Sequence, residues 1–158
     1  MEPRVVIMLI GPPGSGKTTW GKFYAESKGI VRLCPDEFRA KLGRGEDDQS
    51  VSAAAFGMTK AAMGNALDVG KSVMIDATLM YRKARKDFIN IARGRGVQTM
   101  AVVFEATKET LMERNRLRGL SGGRNVPEEV IDRMLSRYER PVKGDEFDAI
   151  EYITKLIP

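Results

Sequence analysis

Residues 5–18 read VVIMLIGPPGSGKT, an apolar run followed by a glycine-rich loop, and this stretch decides the fold class. The unbroken apolar run at residues 5–10 predicts a strand that is buried on both faces. Residues 11–18 match the pattern G-x-x-x-x-G-K-[ST] without deviation. Because this pattern lies between a predicted strand and a predicted helix, it indicates a phosphate-binding loop rather than a plain glycine-rich turn.

The loop predicts how a nucleotide binds. Glycines let the backbone wrap around a phosphate with its N–H groups pointing inward, and the following helix adds its positive end. The Lys17 ammonium is expected to reach the β- and γ-phosphates of ATP, while the Thr18 hydroxyl is expected to bind Mg²⁺. Thr19 is expected near the α-phosphate rather than on the metal. The predicted nucleotide-binding residues of this segment are Gly14, Ser15, Gly16, Lys17, Thr18 and Thr19.

Short apolar runs alternate with longer amphipathic stretches along the rest of the chain. Further strands are predicted at residues 30–33, 72–75, 97–104 and 147–154, and helices at residues 17–28, 36–42, 50–69, 78–93, 107–118 and 127–140. This alternation predicts an α/β fold with a mainly parallel sheet. No internal repeat or linker interrupts it, so residues 1–158 are expected to form one domain.

The composition narrows the possible chemistry. The chain has 158 residues, a formal net charge of +5, one cysteine and no histidine. Without histidine, Ser-His-Asp triads and histidine metal sites are excluded, and a general base must be a carboxylate, a lysine or a tyrosine. The basic charge suits phosphate-bearing partners. The six-residue apolar run near the N-terminus is too short for a signal peptide or a membrane span, which predicts a cytoplasmic protein with no membrane partner.

Two carboxylates follow predicted strands, where ligands bind in parallel sheets. Asp36 follows the second strand, where it is placed either to accept a proton from an acceptor hydroxyl or simply to cap a helix. Arg39 lies three residues later on the same helix face, where it would hold a phosphate of the acceptor. Asp76 ends the third strand and is predicted to hold the water shell of the metal or to orient an arginine on the acceptor side, a strand-end cap being the alternative.

Residues 114–125, RNRLRGLSGGRN, combine arginines with glycines. Arg114 and Arg118 are four residues apart on one helix face, an arrangement that repels unless an anion lies between them. The glycines that follow suit a lid which closes on ATP and brings arginines to the transferring phosphoryl group. A surface charge run is the alternative interpretation.

A second basic group is predicted to form a solvated helix face, and contact with nucleic acid remains open for it. Its members are Arg82, Lys83, Arg85, Lys86, Arg93 and Arg95.

The chain resembles the kinase domain of polynucleotide 5′-kinases, the end-healing enzymes of bacterial RNA repair and of T-even phages, within the P-loop kinase superfamily. The similarity runs over nearly the whole chain and rests on the segments GPPGSGKTTW, PDEFR, EDDQSVSAAAF, SVMIDAT, TMAVVF, ERNRLR and RNVPEEVI. It implies a three-layer fold with a five-stranded parallel sheet and an arginine-bearing lid. It also implies transfer of the γ-phosphate of ATP, with Mg²⁺, to the 5′-hydroxyl end of RNA or DNA.

The resemblance also assigns roles to residues. It implies that Lys17 and Thr18 bind ATP and Mg²⁺, and that Asp36 is the general base. Arg39 would bind the acceptor phosphate, and the lid residues Arg114, Arg118 and Arg124 would contact the phosphates of ATP. The family often has Asn after Asp-x-Thr at the end of the third strand, whereas Leu79 stands here. With no phosphatase or ligase segment in the sequence, the chain is expected to perform only the 5′ step of end healing or to work with separate proteins.

Two other functions remain open at the level of sequence. One is a kinase of a small metabolite or nucleoside on the same fold. The other is a nucleotide-gated switch without an acceptor, which would bind ATP or hydrolyse it slowly. The sequence contains no NKxD-type segment for reading guanine, which disfavours a GTPase.

Overall fold

The computed structural model of the protein describes residues 3–43, 49–123 and 125–153. Five strands lie in these ranges: β1 Val5–Ile10, β2 Val31–Leu33, β3 Val73–Asp76, β4 Gln98–Phe104 and β5 Ala149–Ile153. Six α-helices accompany them: α1 Lys17–Lys28, α2 Pro35–Leu42, α3 Ser52–Asp68, α4 Arg82–Gly94, α5 Lys108–Leu120 and α6 Glu128–Arg137. A single 3₁₀ turn, Gln49–Val51, precedes α3.

The sheet has the order β2-β3-β1-β4-β5, and every pair of neighbouring strands is parallel. The central strand β1 places Leu9 opposite Asp76 on one side and opposite Val102 on the other. The carboxyl ends of β1, β3 and β4 therefore meet at one edge, where the phosphate-binding loop begins. The predicted α/β fold with a five-stranded parallel sheet is confirmed.

The two faces of the sheet bury two separate apolar cores. On β1, Val6, Met8 and Ile10 pack with residues of α3 and α4, whereas Ile7 and Leu9 pack on the side of α1. Burial on both faces explains why this strand is apolar at every position rather than at alternate ones. Within the described part of the chain, no helix is both long enough and apolar enough to cross a membrane.

The local signals at two helix ends act as predicted. Gly29 follows α1 with φ 66° and ends that helix in the left-handed conformation. The Thr107 side chain caps α5 by accepting a hydrogen bond from the backbone N–H of Thr110 at 3.2 Å.

The fourth helix starts four residues later than predicted. Residues 77–81 form a loop instead, because the Thr78 carbonyl accepts a hydrogen bond from the Gly11 N–H at 3.0 Å and Leu79 adopts φ 47°. This left-handed conformation is costly for a leucine and is incompatible with a continuing helix. Helix α6 ends at Arg137 rather than at residue 140, since the Glu139 N–H bonds to the Met80 carbonyl at 2.9 Å.

The prediction of a solvated basic face on α4 is wrong for Arg85, which is fully buried. Its guanidinium donates two hydrogen bonds to the Glu146 carboxylate, at 2.9 and 3.1 Å, and one each to the carbonyls of Leu79 and Glu139, at 3.0 and 2.9 Å. Arg85 therefore fastens the loop at 77–81 to the segment before β5. Sequence periodicity placed the residue on α4 but gave no sign of this buried carboxylate partner.

Replacing Arg85 by Met is expected to cost about 3–5 kcal/mol of the unfolding free energy, because Glu146 would stay buried without its charge partner. Urea unfolding followed by circular dichroism measures this loss. The matched control is Arg95→Met, which removes an arginine from an exposed pair with Asp68 at the C-terminal end of α4 and should have a much smaller effect. Equal losses in the two variants would show that the buried pair is not a structural anchor.

Candidate active site

The glycine-rich loop leaves β1 and turns directly into α1. Gly14 and Gly16 adopt φ 86° and 90°, conformations that L side chains rarely take, and α1 begins at Lys17 without a side-chain cap. The first backbone N–H groups of α1 thus lie where the loop closes. Such groups, together with the helix dipole, form a binding place for an anion.

Ser15 is a fully buried polar residue of this loop. Its hydroxyl oxygen is buried and has no hydrogen-bond partner among the residues that the structure describes. A buried hydroxyl without a partner is costly, and it is satisfied when a ligand oxygen accepts its proton. The loop therefore contains a buried hydroxyl group whose hydrogen-bonding capacity the described residues do not use.

Lys17 is buried in the same cradle. In the described ranges no hydrogen bond or ion pair holds its ammonium group. Burial is the largest influence on the pKa of Lys17 and lowers it, and the positive charge of Arg118 lowers it further, while attraction to Asp76 and Asp36 opposes the shift. A buried cation without a hydrogen-bonded partner is stabilised when phosphate oxygens arrive.

Helix α5 lies directly against the loop. A Cβ atom on Gly14 would come within 3.0 Å of the Leu111 carbonyl and within 3.4 Å of the Arg114 Cβ. Gly14 is therefore required twice, for its positive φ and for this close approach. The contact places Arg114 beside the loop, and the influence of Arg118 on the pKa of Lys17 shows that its charge also acts there. Both arginines predicted for the lid therefore belong to the part of α5 that is near the loop.

The lid is held in shape by Asn115, which sequence reasoning missed. This buried side chain donates to the Val126 carbonyl and accepts from the Val126 N–H at 2.8 Å. The Gly123 N–H adds a bond to the Arg118 carbonyl at 2.9 Å. An asparagine inside a helix is an unfavourable choice that signals such a contact, but the sequence does not name its partner. Arg124, also predicted for the lid, lies outside the described residues.

The carboxylate predicted as general base lies in the first turn of α2. The Asp36 side chain is 36% exposed, and its negative charge acts on Lys17. It forms an ion pair with Arg39, which is on the same helix face as predicted. Arg39 is buried and also donates from Nε to the Ser52 hydroxyl at 3.1 Å. Asp36 therefore lies just after the edge strand β2, paired with Arg39 and near enough to Lys17 for its charge to act on the pKa of that ammonium group.

Asp76 pairs with a residue that sequence reasoning did not identify. Its Oδ2 accepts hydrogen bonds from Arg32 Nε at 3.0 Å and from the Arg32 terminal nitrogen at 2.7 Å. The sequence predicted that Asp76 serves the metal or orients an arginine, and the arginine it contacts here is Arg32. A charged residue within the strand segment VRL was the available signal.

The residues that fit a metal ion are few. Thr18 is exposed at the start of α1, as a hydroxyl ligand of a nucleotide-bound Mg²⁺ would need to be, and Thr19 is exposed beside it. Across the described ranges, no three His, Cys, Asp or Glu residues are grouped so that they alone could hold a metal. This donor set suits Mg²⁺, which is commonly bound by one or two protein groups together with substrate phosphates and water.

Cys34 is a buried cysteine that directly precedes α2. Burial and the negative charge of Asp76 raise the pKa of its thiol to about 12, so the thiol is uncharged at neutral pH. A thiolate nucleophile is therefore not expected at this position.

Replacing Gly14 by Ala is expected to cost about 1–2 kcal/mol for the left-handed conformation alone, and more because the added methyl meets the Leu111 carbonyl. Nucleotide affinity should fall together with stability. The control is Gly57→Ala on the exposed face of α3, where a Cβ meets nothing within 4 Å and a gain of about 0.5–1 kcal/mol is expected. Thermal unfolding and calorimetric titration with ADP measure both effects. An unchanged Gly14→Ala protein would contradict the packing of α5 on the loop.

Known proteins similar in sequence include one that is named as a polynucleotide phosphatase/kinase. The chain is 30% identical over 156 residues to the transcription factor bHLH140 of Arabidopsis thaliana, covering 94% of this chain and 16% of that protein. It is 29% identical over 156 residues to a protein of Acanthamoeba polyphaga mimivirus named as a bifunctional polynucleotide phosphatase/kinase. This match covers 96% of this chain and 33% of that protein. The chain thus spans a third or less of the length of these relatives. The predicted resemblance to polynucleotide kinases is confirmed.

Solved structures share the fold at lower identity. A chain of the Pnkp1/Rnl/Hen1 RNA repair complex superposes with a TM-score of 0.77 at 23% identity, covering 87% of this chain and 44% of that one. The APS kinase CysC of Mycobacterium tuberculosis, solved with AMPPNP and APS, superposes with a TM-score of 0.64 at 20% identity. This match covers 98% of this chain and 91% of that one.

The family profile described as an AAA domain matches residues 6–141, which include the loop, Asp36, Asp76 and the lid helix. The chain therefore belongs to the AAA_33 family and has the fold of P-loop kinases.

Proposed function

We propose that the protein transfers the γ-phosphoryl group of ATP to the 5′-hydroxyl end of an RNA or DNA strand. The observation that carries the proposal is that a partly exposed carboxylate, Asp36, and the buried ammonium of Lys17 act on each other at the carboxyl edge of the sheet. A phosphate loop alone serves many reactions, but a carboxylate facing it supplies the base that a hydroxyl acceptor needs. The similarity to the mimivirus protein supports a polynucleotide acceptor.

On the donor side, the chain binds the triphosphate and neutralises its charge. The Ser15 hydroxyl and the backbone N–H groups of the loop donate to phosphate oxygens, while Lys17 reaches the β- and γ-phosphates. Mg²⁺, bound through the Thr18 hydroxyl and the nucleotide with Asp76 near its water shell, would stabilise the charge that develops on the phosphates.

On the acceptor side, the Asp36 carboxylate accepts the proton of the 5′-hydroxyl group. The 5′-hydroxyl oxygen forms a bond to the γ-phosphorus as its proton passes to the Asp36 carboxylate, and the bond between that phosphorus and the β–γ bridging oxygen breaks. ADP carries away the electron pair of the broken bond. Arg39, which contacts the Asp36 carboxylate, orients the base and offers its charge to the phosphate that follows the 5′ nucleotide.

The lid contributes positive charge opposite Asp36. Arg114 lies against the loop, Arg118 acts on Lys17, and the Asn115 clamp fixes the helix that carries both. Cations placed at the transferring phosphoryl group contribute about 10³–10⁵-fold in rate where they have been dissected. Arg124 is proposed as a further lid contact to ATP.

Replacing Asp36 by Asn should lower phosphoryl transfer to a 5′-hydroxyl oligonucleotide by about 10²–10⁴-fold, because the amide cannot take the proton. ADP binding should be nearly unchanged, since Asp36 lies on the acceptor side. Transfer from γ-labelled ATP, measured in a single turnover, reports the first effect, and calorimetry reports the second. Glu26→Gln on the exposed face of α1 removes the same charge away from the site and should leave both values unchanged.

Acceptor identity is decided in the same assay. RNA, DNA, a free nucleoside and a small sugar alcohol are each offered with labelled ATP. Label on a nucleoside or sugar alone would replace the proposal with a small-molecule kinase, the class to which the structurally similar APS kinase belongs. ATP hydrolysis without label on any acceptor, unchanged in Asp36→Asn, would indicate a nucleotide-gated switch.

A further inference from the structure

Arg32 is the cation that pairs with Asp76, the buried carboxylate of the donor site. The Asp76 side chain is 1% exposed, and both hydrogen bonds from Arg32 fall on its Oδ2 atom. Asp76 lies opposite Leu9 in the sheet register, and Leu9 faces α1, the helix that begins with Lys17. Two cations, Arg32 and Lys17, thus act on one carboxylate.

The chain holds Arg32 in this position by two further features. Glu37 accepts a hydrogen bond from the other terminal nitrogen of Arg32 at 2.6 Å, so the guanidinium joins β3 to α2. Gly21 keeps α1 close to the sheet, because a Cβ there would lie 2.8 Å from Leu9 Cδ1 and 4.0 Å from Arg32 Nε. Arg32 is therefore confined between α1 and the sheet, with 12% of its side chain exposed.

This arrangement explains why Lys17 carries no hydrogen bond to a carboxylate among the described residues. A buried carboxylate attracts a nearby ammonium strongly, and an ion pair between Asp76 and Lys17 would compete with the phosphates for the same cation. Arg32 satisfies Asp76 with a forked guanidinium, which lysine cannot supply. The net positive charge of the three groups then remains on the side of Lys17.

We propose that Arg32 is a positioning residue of the donor site, which engages Asp76 and thereby keeps the Lys17 ammonium free for the triphosphate. The proposal rests on nucleotide binding at the site described above and not on the identity of the acceptor. Without Arg32, Asp76 takes Lys17 as its partner and the phosphates lose their main cation. Without both Arg32 and Asp76, Lys17 is free again.

The test is equilibrium binding of ADP without acceptor and without Mg²⁺, followed by the fluorescence of Trp20, which is the only tryptophan and lies three residues after Lys17. Arg32→Gln is expected to weaken ADP binding by about 10-fold or more, the range that loss of a charged hydrogen bond produces. The double variant Arg32→Gln/Asp76→Asn is expected to bind ADP several-fold more tightly than Arg32→Gln. Because no acceptor is present, failure of the proposed polynucleotide kinase activity would not affect this outcome.

Two comparisons separate this role from a merely structural one. Arg95→Gln, which breaks an exposed Arg–Asp pair far from the loop, should leave ADP binding unchanged. If Arg32→Gln does not fold, Arg32→Lys retains a cation without the fork and should show a smaller loss of ADP binding in the same direction. ADP binding by Arg32→Gln or Arg32→Lys equal to that of the unmodified protein would overturn the proposal. So would a double variant that binds no better than Arg32→Gln, because Asp76 would then not be the competitor for Lys17.

Discussion

The structure depends on a buried ammonium group that the described part of the chain does not satisfy. Lys17 is enclosed at the junction of the loop and α1, where burial lowers its pKa and Asp76 and Asp36 only partly oppose that shift. A buried cation and a buried, unpaired Ser15 hydroxyl both lower the stability of the folded chain, so stability does not explain their presence. Both groups are explained when the site is regarded as half of a complex whose other half is a polyphosphate.

The rest of the fold places charged residues from separate segments of the chain around Lys17. The parallel register aligns the ends of β1 and β3, so that Asp76 lies near the loop. Helix α5 touches the loop at Gly14 and carries Arg114 and Arg118 to the same side. Asp36 lies at the start of α2, just after the edge strand β2. Its negative charge is opposite in sign to the charge of the lid arginines. The carboxyl edge of the sheet therefore brings together cations from α1 and α5 with carboxylates from β3 and α2.

Local sequence signals predicted the elements of this site well, because each element carries its own signal. The apolar run of β1, the glycines of the loop, the αL cap at Gly29 and the Thr107 cap all act over a few residues. Residue patterns suggested the roles of Asp36 and the lid arginines beside plainer alternatives, and the family resemblance favoured the functional ones, which stay predictions until they are measured. Helix ends set by long-range bonds, such as the start of α4 after the left-handed Leu79, could not be predicted from local pattern.

The sequence did not predict the partners of buried charged and amide side chains. Arg85, Arg32 and Asn115 each bond to groups 11 to 61 residues away in the sequence, and no spacing rule selects those groups. A charge or an amide inside an apolar pattern signals that a partner exists, whereas the topology determines which one. The same three residues fasten the loop after β3, the floor of the donor site and the lid.

The most direct measurement is the paired stability and ADP affinity of Lys17→Met. If the buried ammonium exists to bind phosphate, an apolar side chain of similar length removes a costly buried charge, so the unfolding free energy should stay the same or rise while ADP affinity falls by about 10-fold or more. A Lys17→Met protein that unfolds more easily but binds ADP as well as the unmodified chain would contradict this view, because Lys17 would then be a structural residue.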